Sequence, residues 1–503
     1  MDCLELKLPV DSGYFYIAMN FIRGCAESFG FKDRPALNDI ELAAEEAVTN
    51  VFAHALPTDE EPNFTIICRK IAAGIEILVR DRGIPFDPNR VAHFDPAILA
   101  TGEDVRGLGL FLIRNAVDRL TYRNLGREGK EVQLIKFRDR QLPTGMPERP
   151  EENRSNGTAL PRGRKRCELD VRMFKPEDAI EVARCAYLMH GYTFYDEDVY
   201  YPEVLEELHN TGKMTAALAV TPEGEVALFN ALLRHEPDSP TAEMTYVLVN
   251  PGIRAPGAME KVGRYLLENE SRWLKGITSA VTTSHTLTQN VMARNGFIPI
   301  AIYLCADAAE WKFHFLNRED QARDMISDVA FFMFLAPPPP PDVYAPARHR
   351  EMIGKIYERL GVQPNWMEPP AEVARYSGGA RAKLETEILE GEKNARITVM
   401  EYGQDLTNHV ESFVRECRRR DIRFIELKLP MGRPEICFYV GQLEKLGFFF
   451  CGIMPMGKFG DYLLLQMPSE WDINYDAIKI SSEDGRLLFD YVRNCEKERH
   501  ASA

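Results

Sequence analysis

The amino-acid sequence predicts a multi-domain α+β protein, an α/β sandwich followed by further α/β domains, and three observations carry that expectation. The length of 503 residues exceeds one core, because single domains run to about 100–200 residues. Two segments have the composition of linkers, and between them strand-like and helix-like runs alternate. The first linker, 139–165, holds Pro143, Pro147, Pro150 and Pro161 among Gly, Asn and charge. The second, 337–344, opens on five prolines, Pro337 to Pro341, a polyproline II spacer. Three blocks follow, 1–138, 166–336 and 345–503. With 45% hydrophobic and 27% charged residues the chain is globular rather than disordered.

Charge and cysteine usage narrow the function classes. Lys and Arg number 61 against 76 Asp and Glu, a net charge of -15, so general attraction to nucleic acid or anionic lipid is not expected. The ten cysteines form no CxxC pair, which suggests neither a zinc site nor a disulfide framework and fits a reducing cytoplasm. Met1-Asp2-Cys3-Leu4-Glu5-Leu6 is no signal peptide. The apolar run Val329 to Ala336 is far shorter than the roughly 20 residues that span a bilayer. No membrane association is expected, and the expected location is cytoplasmic.

In the first block, the expected order is a strand at Leu4 to Leu8, helices at Tyr14 to Phe29 and Leu37 to Ala55, and strands at Asn63 to Cys68 and Gly74 to Arg80. A helix from Leu108 to Val117 and strands at Leu120 to Asn124 and Lys130 to Phe137 complete it. Tight turns such as Ala72-Ala73-Gly74 make the sheet largely antiparallel, with helices over one face. The second block reads as strands near Met214 to Val220, Glu225 to Leu233 and Thr245 to Asn250, a helix from Ala258 to Leu274, and a strand–helix–strand unit from Thr278 to Leu304. The third block contains a similar unit, Ile422 to Leu429, Glu435 to Leu446 and Phe449 to Met454. Gly447-Phe448 matches Gly296-Phe297, so this is an internal duplication or a coincidence of order.

Chemistry concentrates in the first block. On the helix that includes Glu41 to His54, Ala43, Ala47 and Val51 form a packing face, while Glu46 and Asn50 lie side by side at i, i+4. A carboxamide oxygen can ligate Mg²⁺ and a carboxylate one turn earlier can take a proton from a hydroxyl, although such pairs usually form a solvated helix face. Next comes an apolar strand, Ile77 to Arg80, ending in Asp81-Arg82-Gly83. Asp81 can accept from a purine amine and Gly83 lets backbone approach a ring; an ordinary Asp-x-Gly turn is the alternative. Gly107-Leu108-Gly109 then starts an amphipathic helix, whose free amides suit a polyphosphate.

The order and spacing of Glu46-Ala47-Val48-Thr49-Asn50, Asp81-Arg82-Gly83-Ile84-Pro85-Phe86-Asp87-Pro88 and Gly107-Leu108-Gly109-Leu110-Phe111-Leu112-Ile113-Arg114 resemble the N, G1 and G2 boxes of the GHKL (Bergerat) ATP-binding fold. The branch they resemble is that of anti-sigma factor serine kinases, and the trailing Val117 to Tyr122 agrees. The resemblance implies ATP and Mg²⁺ as cofactors, Asn50 as the metal ligand and Glu46 as general base for a protein serine. It also implies Asp81 as the adenine acceptor and Gly83, Gly107 and Gly109 as shapers of pocket and phosphate cradle. The implied partners are a sigma factor or a STAS-domain anti-anti-sigma protein, with a homodimer left open. One departure is the lid, Asn89 to Arg106, which carries a single glycine, Gly102.

The second block has its own turn into a helix. A strand Met244 to Asn250 leads through Gly252-Ile253-Arg254-Ala255-Pro256-Gly257-Ala258-Met259. This resembles motif A of the GNAT N-acetyltransferases, with Arg254 and Gly257 in its Arg-x-x-Gly-x-Gly positions and Met259 in place of a small residue. His285 to Phe297 resembles motif B. The resemblance implies an acyl-CoA ligand, acetyl-CoA above all, yet Met292 stands where many members carry the tyrosine that protonates the departing thiolate, with Leu443 at the matching place in the third block. Tyr246 and Ser284 are alternative donors, or packing and turn residues. The third block has no Arg-x-x-Gly-x-Gly, so it is not expected to bind coenzyme A even if duplicated, and an interaction or sensory role suits it better.

The sequence therefore supports an ATP-dependent serine kinase of the anti-sigma type fused to an acyl-CoA-binding-like module. An N-acetyltransferase with a nucleotide-sensing domain and a non-catalytic partner-switching scaffold are the alternatives. A histidine kinase is disfavoured because no dimerising helix with a phosphoacceptor histidine precedes the first block.

Overall fold

The computed structural model describes residues 2–54, 62–86, 108–138, 165–166, 168–234, 239–254, 256–270, 274–307, 325–370, 381–390, 392–469 and 473–501. The lid at Asn89 to Arg106, Gly107 and residues 139–164 of the first linker lie outside them, as does the side chain of Arg254. Among the described residues, no helix is long and apolar enough to cross a membrane.

The first block runs β1 (Cys3–Pro9), α1 (Phe15–Ser28), α2 (Arg34–His54), β2 (Asn63–Ile71), β3 (Gly74–Asp81), α3 (Leu108–Ala116), β4 (Arg119–Asn124) and β5 (Lys130–Phe137). Its sheet is antiparallel throughout, in the order β1-β2-β3-β5-β4. Ala43, Ala47 and Val51 are buried together with Ile66, Ile77, Val79 and Ile113. The face predicted from the helical spacing is therefore the one laid on the sheet, and this fixes which way Glu46 and Asn50 point.

The second block comprises β6 (Lys165–Arg166), β7 (Asp170–Met173), α4 (Ala179–His190), α5 (Pro202–Asn210), β8 (Met214–Val220), β9 (Val226–Leu233), β10 (Thr241–Val249), β11 (Ile253–Arg254), α6 (Ala258–Glu270), β12 (Gly276–Thr282), α7 (Leu287–Arg294), β13 (Ile298–Asp307) and β14 (Ile326–Phe334). The third comprises β15 (Asp342–Val343), α8 (Arg350–Arg359), β16 (Asn365–Trp366), β17 (Lys383–Leu389), β18 (Asn394–Glu401), α9 (Leu406–Arg419), β19 (Phe424–Pro430), α10 (Ile436–Lys445), β20 (Phe449–Gly457), β21 (Gly460–Pro468) and α11 (Glu483–Ala501). Helix α4 escapes a reading based on amphipathic spacing because ten of its twelve residues are buried, leaving no polar face to mark a period.

The two blocks share one sheet of order β17-β18-β19-β21-β20-β13-β14-β12-β10-β9-β8-β7. Within it, β9-β10-β12-β14-β13 repeats as β17-β18-β19-β21-β20, each with one parallel pair, β10 with β12 and β18 with β19. The helix ends repeat as well. Gly296 and Gly447 are left-handed at φ 86° and 105°, and the following amides of Phe297 and Phe448 donate back to the carbonyls of Met292 and Leu443 at 3.1 and 3.4 Å. This is a glycine C-cap, which needs the positive φ that glycine adopts without strain.

The halves meet where β13 and β20 touch at Ala301 and Gly452. A Cβ on Gly452 would overlap the Ile300 carbonyl oxygen and stand 2.5 Å from Ala301 Cα. Beyond that point the fully buried Gln466 side chain replaces strand pairing. Its Oε1 accepts from Leu304 N at 2.8 Å and its Nε2 donates to Ile302 O at 3.0 Å.

Candidate functional site

Helix α2 presents Glu46 toward α3, with Glu46 half-buried and Asn50, one helical turn on, exposed. The Glu46 carboxylate is pressed against the first turn of α3, where a Cβ on Gly109 would lie 2.5 Å from Oε2. The missing side chain at Gly109 leaves the space that the Glu46 carboxylate occupies. Burial, reinforced by the charge of Glu45, raises the Glu46 carboxyl above its ordinary value, the direction that suits a proton acceptor working near neutrality.

Asp81 ends β3, nearly buried at 5% exposure. Its register partner on β2 is Phe64, whose ring meets that of Phe52 at 5.5 Å. Since Phe52 follows Asn50 within one helical turn, the end of α2 lies over the end of β3. The Asp81 Oδ1 accepts from Gly83 N at 2.8 Å, and Lys130 Nζ stands 3.5 Å away while also reaching Ile84 O at 3.2 Å. The Asp-x-Gly segment is therefore both a tight turn and a fixed carboxylate, and the ring of Phe86 beyond it packs on Tyr122 at 5.0 Å.

Sequence reasoning missed Lys130 and Gly129. Gly129 sits at φ 95°, and a Cβ there would overlap the Asp81 carbonyl oxygen and come within 2.8 Å of Arg82 Cα. The two glycines of Gly126-Arg127-Glu128-Gly129 were the available signal. Gly129→Ala is expected to destabilise the first block by about 3 kcal/mol, from backbone overlap and a strained φ. Urea denaturation measures that loss, and nucleotide titration should show weaker binding in the same variant.

In the second block, β10 and β12 pair in parallel only from Thr241 and Gly276 to Glu243 and Thr278. Farther on, β10 bulges against β9 between Thr245 and Leu248, with Tyr246 at φ 49°. Tyr246 is buried and its hydroxyl donates to Asp196, while burial and that carboxylate push its phenol far above the ordinary value. Ser284 is a turn residue whose amide and hydroxyl both meet Thr282 Oγ1. Met292 is buried. Gly257 immediately precedes α6 with φ 74° and accepts from Lys261 N through its carbonyl at 3.1 Å.

Met259 and Met292 nearly fill the space beside β10. The cavity there is about 10 Å³, lined also by Asn230, Met244 and Phe297. Asn230 is 2% exposed and its Oδ1 has no hydrogen-bond partner. In the third block, aromatic rings pack where β18 leads toward α9. Tyr402 and Tyr439 stack at 5.8 Å and 13°, and their hydroxyls donate to Pro430 O and Gly403 O.

Residues 9–136 match the histidine kinase-like ATPase domain family. Serine-protein kinase RsbW of Listeria innocua is 31% identical over 144 residues, covering 27% of this chain and 87% of that protein. RsbW of Oceanobacillus iheyensis is 29% identical over 140 residues, with the same shares covered. Among solved structures, a GNAT-family acetyltransferase from Desulfovibrio desulfuricans aligns at 15% identity and a TM-score of 0.27, covering 34% of this chain and 100% of its own. Through its N-terminal quarter, the chain therefore belongs to the family of histidine kinase-like ATPase domains that includes the serine-protein kinase RsbW.

Proposed function

We propose that the first block binds ATP and transfers its γ-phosphate to a serine of a STAS-type anti-anti-sigma protein, in a cytoplasmic partner-switching pathway that also involves a sigma factor. One observation carries this reading: a half-buried carboxylate with a raised pKa, Glu46, is held at the first turn of α3 one helical turn from Asn50. The serine Oγ attacks the γ-phosphorus as Glu46 accepts its proton, and ADP leaves with the bridging oxygen. Asp81 accepts from the adenine amine, with Gly83 beside the ring and Gly107 and Gly109 at the phosphates. The exposed Asn50 carboxamide would hold Mg²⁺ at the nucleotide, where the ion neutralises phosphate charge. Labelled ATP incubated with the full chain and the STAS proteins encoded near it should label a serine. ATP binding without labelling of any of them would leave the scaffold role and overturn the kinase.

A second reading concerns the second block. Diverging β10 and β12 with the unsatisfied Asn230 Oδ1 between β9 and the helices favour an acyl-CoA ligand, with Arg254 and Gly257 at the pyrophosphate. Methionine side chains are flexible enough to vacate such a slot. Calorimetry should detect acetyl-CoA binding at millimolar ligand, with greater affinity in Met259→Gly; no heat in either protein removes this reading and the N-acetyltransferase activity with it.

A further inference from the structure

The turn that follows Asp81 is not supported by the first block alone. Tyr192, between α4 and α5, donates its buried hydroxyl to Gly83 O at 2.8 Å, and Tyr187 of α4 donates to Arg82 O at 3.1 Å. Arg184 Nη1 donates to Pro85 O at 3.2 Å. Ile84, 4% exposed, is packed into the core of the second block rather than that of the first. Arg82 stacks over the Tyr192 ring, 5.8 Å from its centroid. Three backbone carbonyls within four residues thus find their donors in another domain, while the first block reaches the segment through Lys130 and Tyr122.

A second contact fixes the domains against each other. Arg127, at the β4–β5 connection, donates from Nη2 to Phe194 O and Tyr195 O, each at 2.9 Å. Tyr201 donates to Leu125 O at 3.3 Å and lies where a Cβ on Gly126 would fall. The L. innocua kinase is matched over 87% of its length by this chain's N-terminal residues, so that relative has little chain left to supply such a support.

We infer that Tyr187 and Tyr192 are positioning residues for the nucleotide site, setting through the Arg82–Gly83 backbone the place of the Asp81 carboxylate and hence the preference for an adenine base. The inference rests on the ATP-site reading above. Burial keeps both phenols protonated donors, with the Tyr187 hydroxyl pushed up to about 12. The two tyrosine rings contact each other at 4.9 Å, so either one alone partly holds the turn.

The test uses the full chain, wild type and the Tyr187→Phe/Tyr192→Phe double variant, titrated with ADP and with inosine diphosphate, which carries a carbonyl oxygen in place of the exocyclic amine. The wild type should prefer ADP. Losing two hydrogen bonds to the turn should lower ADP affinity about tenfold and leave inosine diphosphate affinity within about twofold, collapsing the ratio. An equal loss for both nucleotides, or none for either, overturns the positioning role while leaving the nucleotide site standing. A wild-type chain that binds neither nucleotide overturns the site itself. Thermal melting of the double variant separates a displaced turn from a general loss of structure.

Discussion

Glu46→Ala should abolish serine phosphorylation, a fall of at least about a hundredfold given what a general base contributes, while ATP affinity stays within about twofold. The separation is expected because, in the proposed mechanism, the Glu46 carboxylate at the first turn of α3 takes the serine proton, whereas affinity would rest on Asp81 and backbone amides. Equal loss of rate and affinity would sink this role. Its pH dependence has a definite sign. Burial and Glu45 raise the Glu46 pKa above 4.5, so the reactive carboxylate appears, and the rate rises, through a midpoint above the ordinary carboxylate value. Stability runs the other way: between the unfolded and the raised folded value the native state binds more protons, so stability falls as pH rises through that window. Glu46→Gln should remove both dependences and be no less stable than wild type at neutral pH.

Gly452→Ala should destabilise the shared sheet by about 3 kcal/mol or more. The added methyl group meets the Ile300 carbonyl and the Ala301 backbone of the neighbouring half, and backbone cannot rotate away as a flexible side chain can. Chemical denaturation measures the effect, with Gly441→Ala as a control. Gly441 lies within α10 with nothing within 4 Å of its Cβ position, so that change should stabilise by about 0.5–1 kcal/mol. If Gly452→Ala proves as mild as the control, the closeness of the β13–β20 contact is wrong.

Local patterns were legible in the sequence and distant pairings were not. The Ala43, Ala47, Val51 spacing identified the buried face of α2, and the i, i+4 relation of Glu46 and Asn50 followed from helix geometry. The Gly296-Phe297 and Gly447-Phe448 pairs marked two equivalent helix ends because a glycine cap leaves a local signature. Tyr187 and Tyr192 carried no such mark. Their partners Arg82 and Gly83 lie 105 and 109 residues away, and neither residue type announces a carbonyl acceptor in another domain. The Tyr402–Tyr439 stack is similar: the two residues lie far apart in sequence, and their pairing is decided by packing. The joining of two blocks into one sheet uses the Gln466 amide against β13, a contact between residues more than 160 positions apart that no local pattern marks.

That junction bears on how the chain is made. Strand β13 is complete at Asp307, but its partner β20 begins only at Phe449 and Gln466 comes later still. At about 5–20 residues per second of synthesis, the outer edge of β13 stays uncovered for roughly 7–30 s on every ribosome. An open, apolar strand edge recruits neighbouring chains, so the yield of native protein should depend on translation speed and chaperone supply, and chains truncated between these strands should aggregate.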